Sequence, residues 1–224
     1  LIDGQAFTLR TRLGYQTQTW NGFDALAEYE GTHAIGGDDS YNSGAPVLSN
    51  TNNRTNFSTV SDPTGNELNR AWLQYTGLPD THIKLGRQRL LFDNARFIGD
   101  SAWRQNERTY DAISVVNKTL PNTTLTYAYL TRSNSRFYND NKLSAHLVNL
   151  NWAASSLLKL STYGYFVDFR ENDRTQRVPN APDHRILGVR AVGDYKILSY
   201  ALEYADQSDY ADSPSTVNAN YYLA

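Results

Sequence analysis

The chain has 224 residues, of which 40% are apolar, with a net charge of −2 and a mean hydropathy of −0.59. No window approaches the roughly 18 consecutive apolar residues of a spanning helix, which excludes an α-helical membrane protein. The charge balance gives no global basic field for a nucleic-acid partner, and the absence of Cys excludes a disulfide framework and any Cys-based metal site.

The first element, Phe7 to Thr19, has period-2 alternation: Phe7, Leu9, Thr11, Leu13 and Tyr15 fall on one face, and Thr8, Arg10, Arg12, Gly14, Gln16 and Gln18 on the other. Asn21-Gly22 between Trp20 and Phe23 predicts a tight hairpin turn. A second strand, Asp24 to Ile35, sets Ala25, Ala27 and Tyr29 against Glu28 and Glu30. A long polar segment, Gly36 to Asn66, precedes a third strand over Glu67 to Thr76, a turn at Gly77 to Asp80 and a fourth strand from about Thr81 to Leu91. An irregular stretch covers Phe92 to Arg108. Strands then follow at Tyr110–Asn117, Thr123–Thr131, Lys142–Trp152, Leu157–Phe169, His184–Val192, Lys196–Asp206 and Asn218–Leu223. Polar loops cover Arg132 to Asn141, Arg170 to Asp183 and Gln207 to Val217.

These connections alternate short and long, and each strand is near the length that crosses a bilayer at a tilt. Trp20, Phe23, Tyr75, Trp152 and Tyr195 lie near the short turns, and Tyr110, Phe137, Tyr138, Phe169 and Tyr204 near the long loops. Two aromatic girdles are the expected reading, since Tyr and Trp gather at membrane interfaces. The low mean hydropathy agrees, because half of every such strand stays polar. The predicted fold is an all-β, antiparallel transmembrane barrel of a Gram-negative outer membrane, one domain over 1–224, with outer-membrane lipid and lipopolysaccharide against its apolar face. Eleven strands is an odd number, the chain starts at Leu1 without any Met, and it ends at Ala224 without a terminal aromatic. A barrel incomplete at both ends is therefore expected.

Gly86 to Asp111 reads GRQRLLFDNARFIGDSAWRQNERTYD. Its polar density fits no strand, while Phe97, Ile98 and Trp103 call for burial. An inward-folded or constriction loop over 92–108 satisfies both, with Phe97 and Trp103 as anchors rather than solute contacts. The run Gly86-Arg87-Gln88, Asp93-Asn94, Arg96-Phe97-Ile98-Gly99, Trp103 to Glu107 and Thr109-Tyr110-Asp111 resembles the alginate-export porins of Gram-negative outer membranes. Arg70-Ala71-Trp72-Leu73 is also similar to that family. The resemblance implies a monomeric barrel of about eighteen strands with an arginine-rich constriction for an anionic polysaccharide.

The candidate pore-lining residues are Arg10, Arg12, Arg70 and Arg190 on strands, Arg87 and Arg89 near the fourth strand's end, and Arg96, Arg104 and Arg108 in the folded segment, with Glu107 and Asp111. Guanidinium groups bind carboxylates bidentately and keep their charge, so such a set would pass anionic polysaccharide or small anions. The bland alternative pairs these arginines with Glu28, Glu30, Asp93, Glu107, Asp111 and Glu203 in a stiffening lattice. His33, His82, His146 and His184 lack metal-ligand spacing, and no nucleotide or hydrolase motif occurs, so no cofactor and no catalytic residue is assigned. Asp38-Asp39 reads as a solvated loop before a calcium site. Three rival functions remain: a general diffusion porin, an outer-membrane enzyme using Ser144 and His146, and a soluble β-sheet binding protein.

Overall fold

The computed structural model describes residues 1–37, 39–44, 51–170 and 182–224. Its strands are β1 (Thr8–Gln16), β2 (Phe23–Ala34), β3 (Gly65–Leu78), β4 (Thr81–Gln88), β5 (Thr109–Asn117), β6 (Thr123–Asn134), β7 (Asp140–Ser155), β8 (Leu158–Phe169), β9 (His184–Tyr195), β10 (Leu198–Asp209) and β11 (Asn218–Leu223). They form one sheet in sequence order, each strand antiparallel to the next, with β1 and β11 at the edges. No helix occurs among the described residues.

Burial along the strands is the inverse of a water-soluble sheet. Leu13, Leu85, Val189, Leu202 and Tyr222 are exposed, while Glu30, Asn69, Asn149 and Glu203 are buried. Polar groups buried in this number would be costly unless each met partners, and large exposed apolar rows would be costly in water. Both costs vanish when the apolar face meets lipid and the polar face turns inward.

Asn21 and Gly22 both have positive φ, 50° and 83°, and Trp20 and Phe23 exchange backbone bonds of 2.8 and 2.9 Å. This is the twist-matched hairpin that the Asn-Gly pair dictates. Three of the other short turns place one left-handed residue apiece, Asp80, Asn122 and Lys196. Ladder pairing stops β1 at Gln16 rather than Thr19. The expected loop over 132–141 contracts to 135–139, because β6 and β7 continue pairing through a bulge between Leu130 and Arg132. That connection is no longer than the turn between Asn117 and Thr123, so short and long do not alternate strictly. Tyr110 also leaves the expected girdle: it is buried and donates to the Gly99 carbonyl at 2.9 Å.

Candidate functional site

Strand β4 ends at Gln88, not Leu91, and the reasons are local. Gly86 has φ 122°, and a Cβ there would lie 2.3 Å from the Ala71 carbonyl oxygen, so only glycine fits against β3. The Gln88 side chain is buried, donating to the Ala112 carbonyl at 3.1 Å and accepting from the Ser114 hydroxyl at 2.7 Å. Beyond it the chain leaves the sheet, so the folded segment runs from Arg89 to Arg108, slightly longer than its sequence suggests.

The segment has two halves held by different forces. In the first, Leu90, Phe92 and Ile98 are buried in a cluster with Leu130, Leu147, Tyr165 and Ile186 of the sheet. Phe97 packs on Tyr163 at 5.9 Å and edge-on to Tyr221 at 5.6 Å. Asn94 donates to Glu203 at 3.1 Å, and Asn149 donates to Asp93 at 2.6 Å. The second half is polar. Arg10 donates to the Gln105 carbonyl at 2.7 Å, and Gln105 donates to the Thr8 hydroxyl at 3.0 Å. So short a stretch touches β1 at one edge and β11 at the other. It can do so only if the sheet curls around it, with the polar face concave.

A carboxylate cluster joins this second half to β1, β2 and β3. A bulge in β3 breaks alternation, so consecutive Asn69 and Arg70 both reach Glu28. Arg70 holds Glu28 with two bonds, 2.9 and 2.5 Å. Arg12 pairs with Glu30 and lies 3.3 Å from Glu107. The Asn69 amide donates to Glu28 and Glu107, both at 2.9 Å, and reaches Glu30 at 3.5 Å. Arg89 bridges Glu107, at 3.2 Å, and Asp100. Burial works to raise the Asp100 carboxyl, but bonds from Arg89 and the Ala102 amide bring it below the ordinary carboxylate range.

A cation-rich cluster lies beside it. Arg104 pairs with Asp62, which also accepts from the Gln105 amide at 3.3 Å. Arg108 and Arg136 make no ion pair among the described residues, and their Nε atoms are buried without a hydrogen-bond partner. Burial, then the charges of Arg108 and Arg104, lower the pKa of Arg136.

The structure thus sorts the expected residues. Arg12, Arg70, Arg89, Arg104 and Arg190 are paired with carboxylates, the last with Glu203 at 2.8 Å. Arg10, Arg96 and Arg108 have no carboxylate partner among the described residues; Arg96 lies 4.9 Å over Tyr221. Arg87 and Asp111 need correction. They pair with each other at 2.7 Å, but on the ladder parity of exposed Leu85 and Ile113, opposite inward Gln88 and Ser114. They belong to the outer rim, with Arg132 and Asp140. Asp93 bonds Asn149 rather than an arginine. Trp103 is no anchor: it is 71% exposed, because ion pairs, not apolar burial, hold its half of the segment.

Sequence reasoning missed Asp62, Asn69, Asp100 and Arg136. Asp62 sits in a polar stretch without periodicity, and Asn69 becomes inward only through the bulge. Ser144 and His146 share the outer face, but bond Tyr129 at 3.3 Å and Tyr127 at 2.8 Å rather than each other. Asp38 lies outside the described residues, as does most of the 170–183 loop; Asp39 pairs with Arg54. Among the described residues no group of three acidic, His or Cys side chains could hold a metal.

Solved structures with this fold are outer-membrane porins. Acinetobacter baumannii OccAB2 superposes with a TM-score of 0.71 at 18% identity, over 97% of this chain and 55% of that one. A BenF-like porin from Pseudomonas fluorescens Pf-5 gives 0.70 at 9% identity, over 98% and 56%. Pseudomonas aeruginosa OpdK, crystallised with vanillate, gives 0.67 at 9% identity, over 97% and 56%. The chain therefore spans little more than half the length of these porins. No curated protein matches it. The alginate export family matches residues 10–218. With that match covering nearly the whole described sheet, the chain belongs to the alginate export family of Gram-negative outer-membrane β-barrel proteins.

Proposed function

We propose that the complete protein is a passive channel for anionic solutes, narrowed by the segment from Arg89 to Arg108. The observation that carries this reading is the set of inward cations left without carboxylates among the described residues, Arg10, Arg96 and Arg108, with a segment that bonds β1 through Gln105 and packs on Tyr221 of β11 through Phe97. Unpaired guanidiniums in a confined polar space lower the entry cost for anions. In this reading Arg12, Arg70, Arg89, Arg104, Arg190 and Glu107 hold the segment in place and set the local field. Family membership supports an anionic polysaccharide such as alginate as the solute. A porin for small solutes is the second reading, supported by the fold shared with OpdK and its relatives. Outer-membrane lipid and lipopolysaccharide would surround a single barrel with its own pore.

The test is the reversal potential of the full-length protein in a planar bilayer under a potassium chloride gradient. Anion selectivity that falls in Arg10→Ala and Arg108→Ala is expected. Cation selectivity, or selectivity unmoved by both substitutions, overturns the arginine constriction.

A further inference from the structure

The apolar outer face carries a furrow of about 590 Å³ across β7 to β10. It lies toward their short-turn end, the end that faces the periplasm in outer-membrane barrels. Outward side chains line it in two cross-strand rows. Trp152, Leu160, Ala191 and Leu202 stand in register nearer the turns, and Val189 and Tyr204 stand in register beyond them. Ala191 leaves a gap between Leu160 and Leu202. Arg190 and Glu203, between the rows, pair with each other on the inner face, so they bring no charge to the floor. A site with so little to offer a polar group fits a hydrocarbon chain. One cation stands beyond its end. Tyr195 has the outward parity of Ala191 and lies four residues further along β9, about 13 Å. The Lys196 ammonium sits over the Tyr195 ring, 5.3 Å from its centroid, and is thereby drawn to the lipid side of the turn. Lys196 makes no ion pair among the described residues. The nearby Asp194 has inward parity and accepts from the Ser199 hydroxyl at 2.6 Å. Ile197, next on the turn, is fully exposed, as suits a turn lying in a headgroup layer.

We propose that the furrow and Lys196 together bind one anionic phospholipid of the periplasmic leaflet, with an acyl chain in the furrow and the phosphate at the ammonium. Depth selects the leaflet. The furrow lies between the middle of β9 and its short-turn end, whereas the chains of lipopolysaccharide fill the opposite leaflet. Charge selects the headgroup. Phosphatidylglycerol offers Lys196 an unmatched phosphate, while phosphatidylethanolamine carries its own ammonium beside that phosphate. A soluble phosphate would use Lys196 and leave the furrow empty. The site rests on the lipid-facing parity of these strands and is independent of what passes through the pore.

Trp152 in the furrow wall supplies the probe. The full-length protein is folded into phosphatidylcholine vesicles containing phosphatidylglycerol or phosphatidylethanolamine brominated in the acyl chains. Quenching of the Trp152 emission is read as the difference between the protein and its Trp152→Phe variant. Brominated phosphatidylglycerol should reach half-quenching at a mole fraction roughly fivefold lower than brominated phosphatidylethanolamine. Lys196→Gln should remove that preference. Lys159→Gln changes a lysine at the same end whose parity is inward, and it should leave the preference intact. Ala191→Phe fills the gap and should weaken quenching by phosphatidylglycerol; Lys196→Gln, on a turn, keeps the test sharp if that variant folds poorly. Equal quenching by the two lipids, a preference that survives Lys196→Gln, or one lost equally in Lys159→Gln overturns the site. So does a Trp152 shielded from both lipids, the result expected if a second copy of the chain covers the furrow.

Discussion

Asn69, the extra residue of the β3 bulge, donates its amide to Glu107 at 2.9 Å and so ties the barrel wall to the inserted segment. The same nitrogen serves Glu28, and both carboxylates are buried. Asn69→Leu fills the space but removes the shared donor. A buried acceptor left unmade costs about 1–3 kcal/mol. We expect Asn69→Leu to lower the thermal midpoint of the detergent-folded protein and to open the 89–108 segment to protease. Asn69→Asp should be worse, since it adds another negative charge to Glu28, Glu30 and Glu107. A midpoint unchanged by either substitution would show that the bulge does not carry the segment.

The paired and unpaired arginines should separate in their effects. Arg12→Ala strands Glu30, which is fully buried, beside Glu107. Removing one partner of a buried pair costs about 3–5 kcal/mol, so Arg12→Ala should fold poorly. Arg10 gives up only a bond to a carbonyl from an exposed position, and its loss should cost under about 0.5 kcal/mol. Urea unfolding of both variants decides this. Comparable stability losses would mean that Arg10 is structural as well.

Acid should loosen the segment through Asp100. Its pKa in the folded protein lies below the unfolded value, held there by Arg89 and the Ala102 amide against the opposing effect of burial. A depressed carboxylate contributes fully above its unfolded pKa, and that contribution is lost as pH falls through the folded value. Protease resistance of the segment should therefore hold through neutral and mildly acid pH and drop only below the ordinary carboxylate range. Asp100→Asn should be weaker at neutral pH and lose part of that acid dependence. An acid dependence identical to wild type would shift the cause to another carboxylate.

Much of this architecture is legible in residue order. Leu9 and Leu13 against Arg10 and Arg12 define two faces, Asn21-Gly22 fixes a hairpin, and Ile98 is buried and Phe97 partly buried against the core, as their setting in a polar run requires. Arg87 can be placed too, by counting outward from Ile83 and Leu85 along β4. The bulges are not legible. A single inserted residue shifts every later side chain to the opposite face, and nothing near Asn69 or Arg132 announces it. Nor does the partner of Arg104 announce itself, because Asp62 arrives from a segment far off in sequence with no periodic pattern. Trp103 fails differently. Hydrophobicity alone predicts burial, but ion pairs already hold its neighbourhood.

The lipid-facing assignment can be tested with one charge at two depths. Arg185 and Val189 share the outer parity of β9, but Arg185 is the strand's second residue and Val189 lies at its middle. At the end, Arg185 is accommodated, donating to the Ser208 hydroxyl at 2.9 Å where a long side chain can reach the interface. At the middle, an arginine has no such exit. Val189→Arg should cost about 2–4 kcal/mol of folding free energy in vesicles, while Val189→Leu should be near neutral. Arg190, one residue on, is no counterexample, since it faces inward and meets Glu203 at 2.8 Å. The measurement is the folded fraction in phosphatidylcholine vesicles by heat-modifiable gel migration. If Val189→Arg and Val189→Leu fold equally well there, the exposed apolar face does not meet lipid, and the inward assignment of the arginines loses its foundation with it.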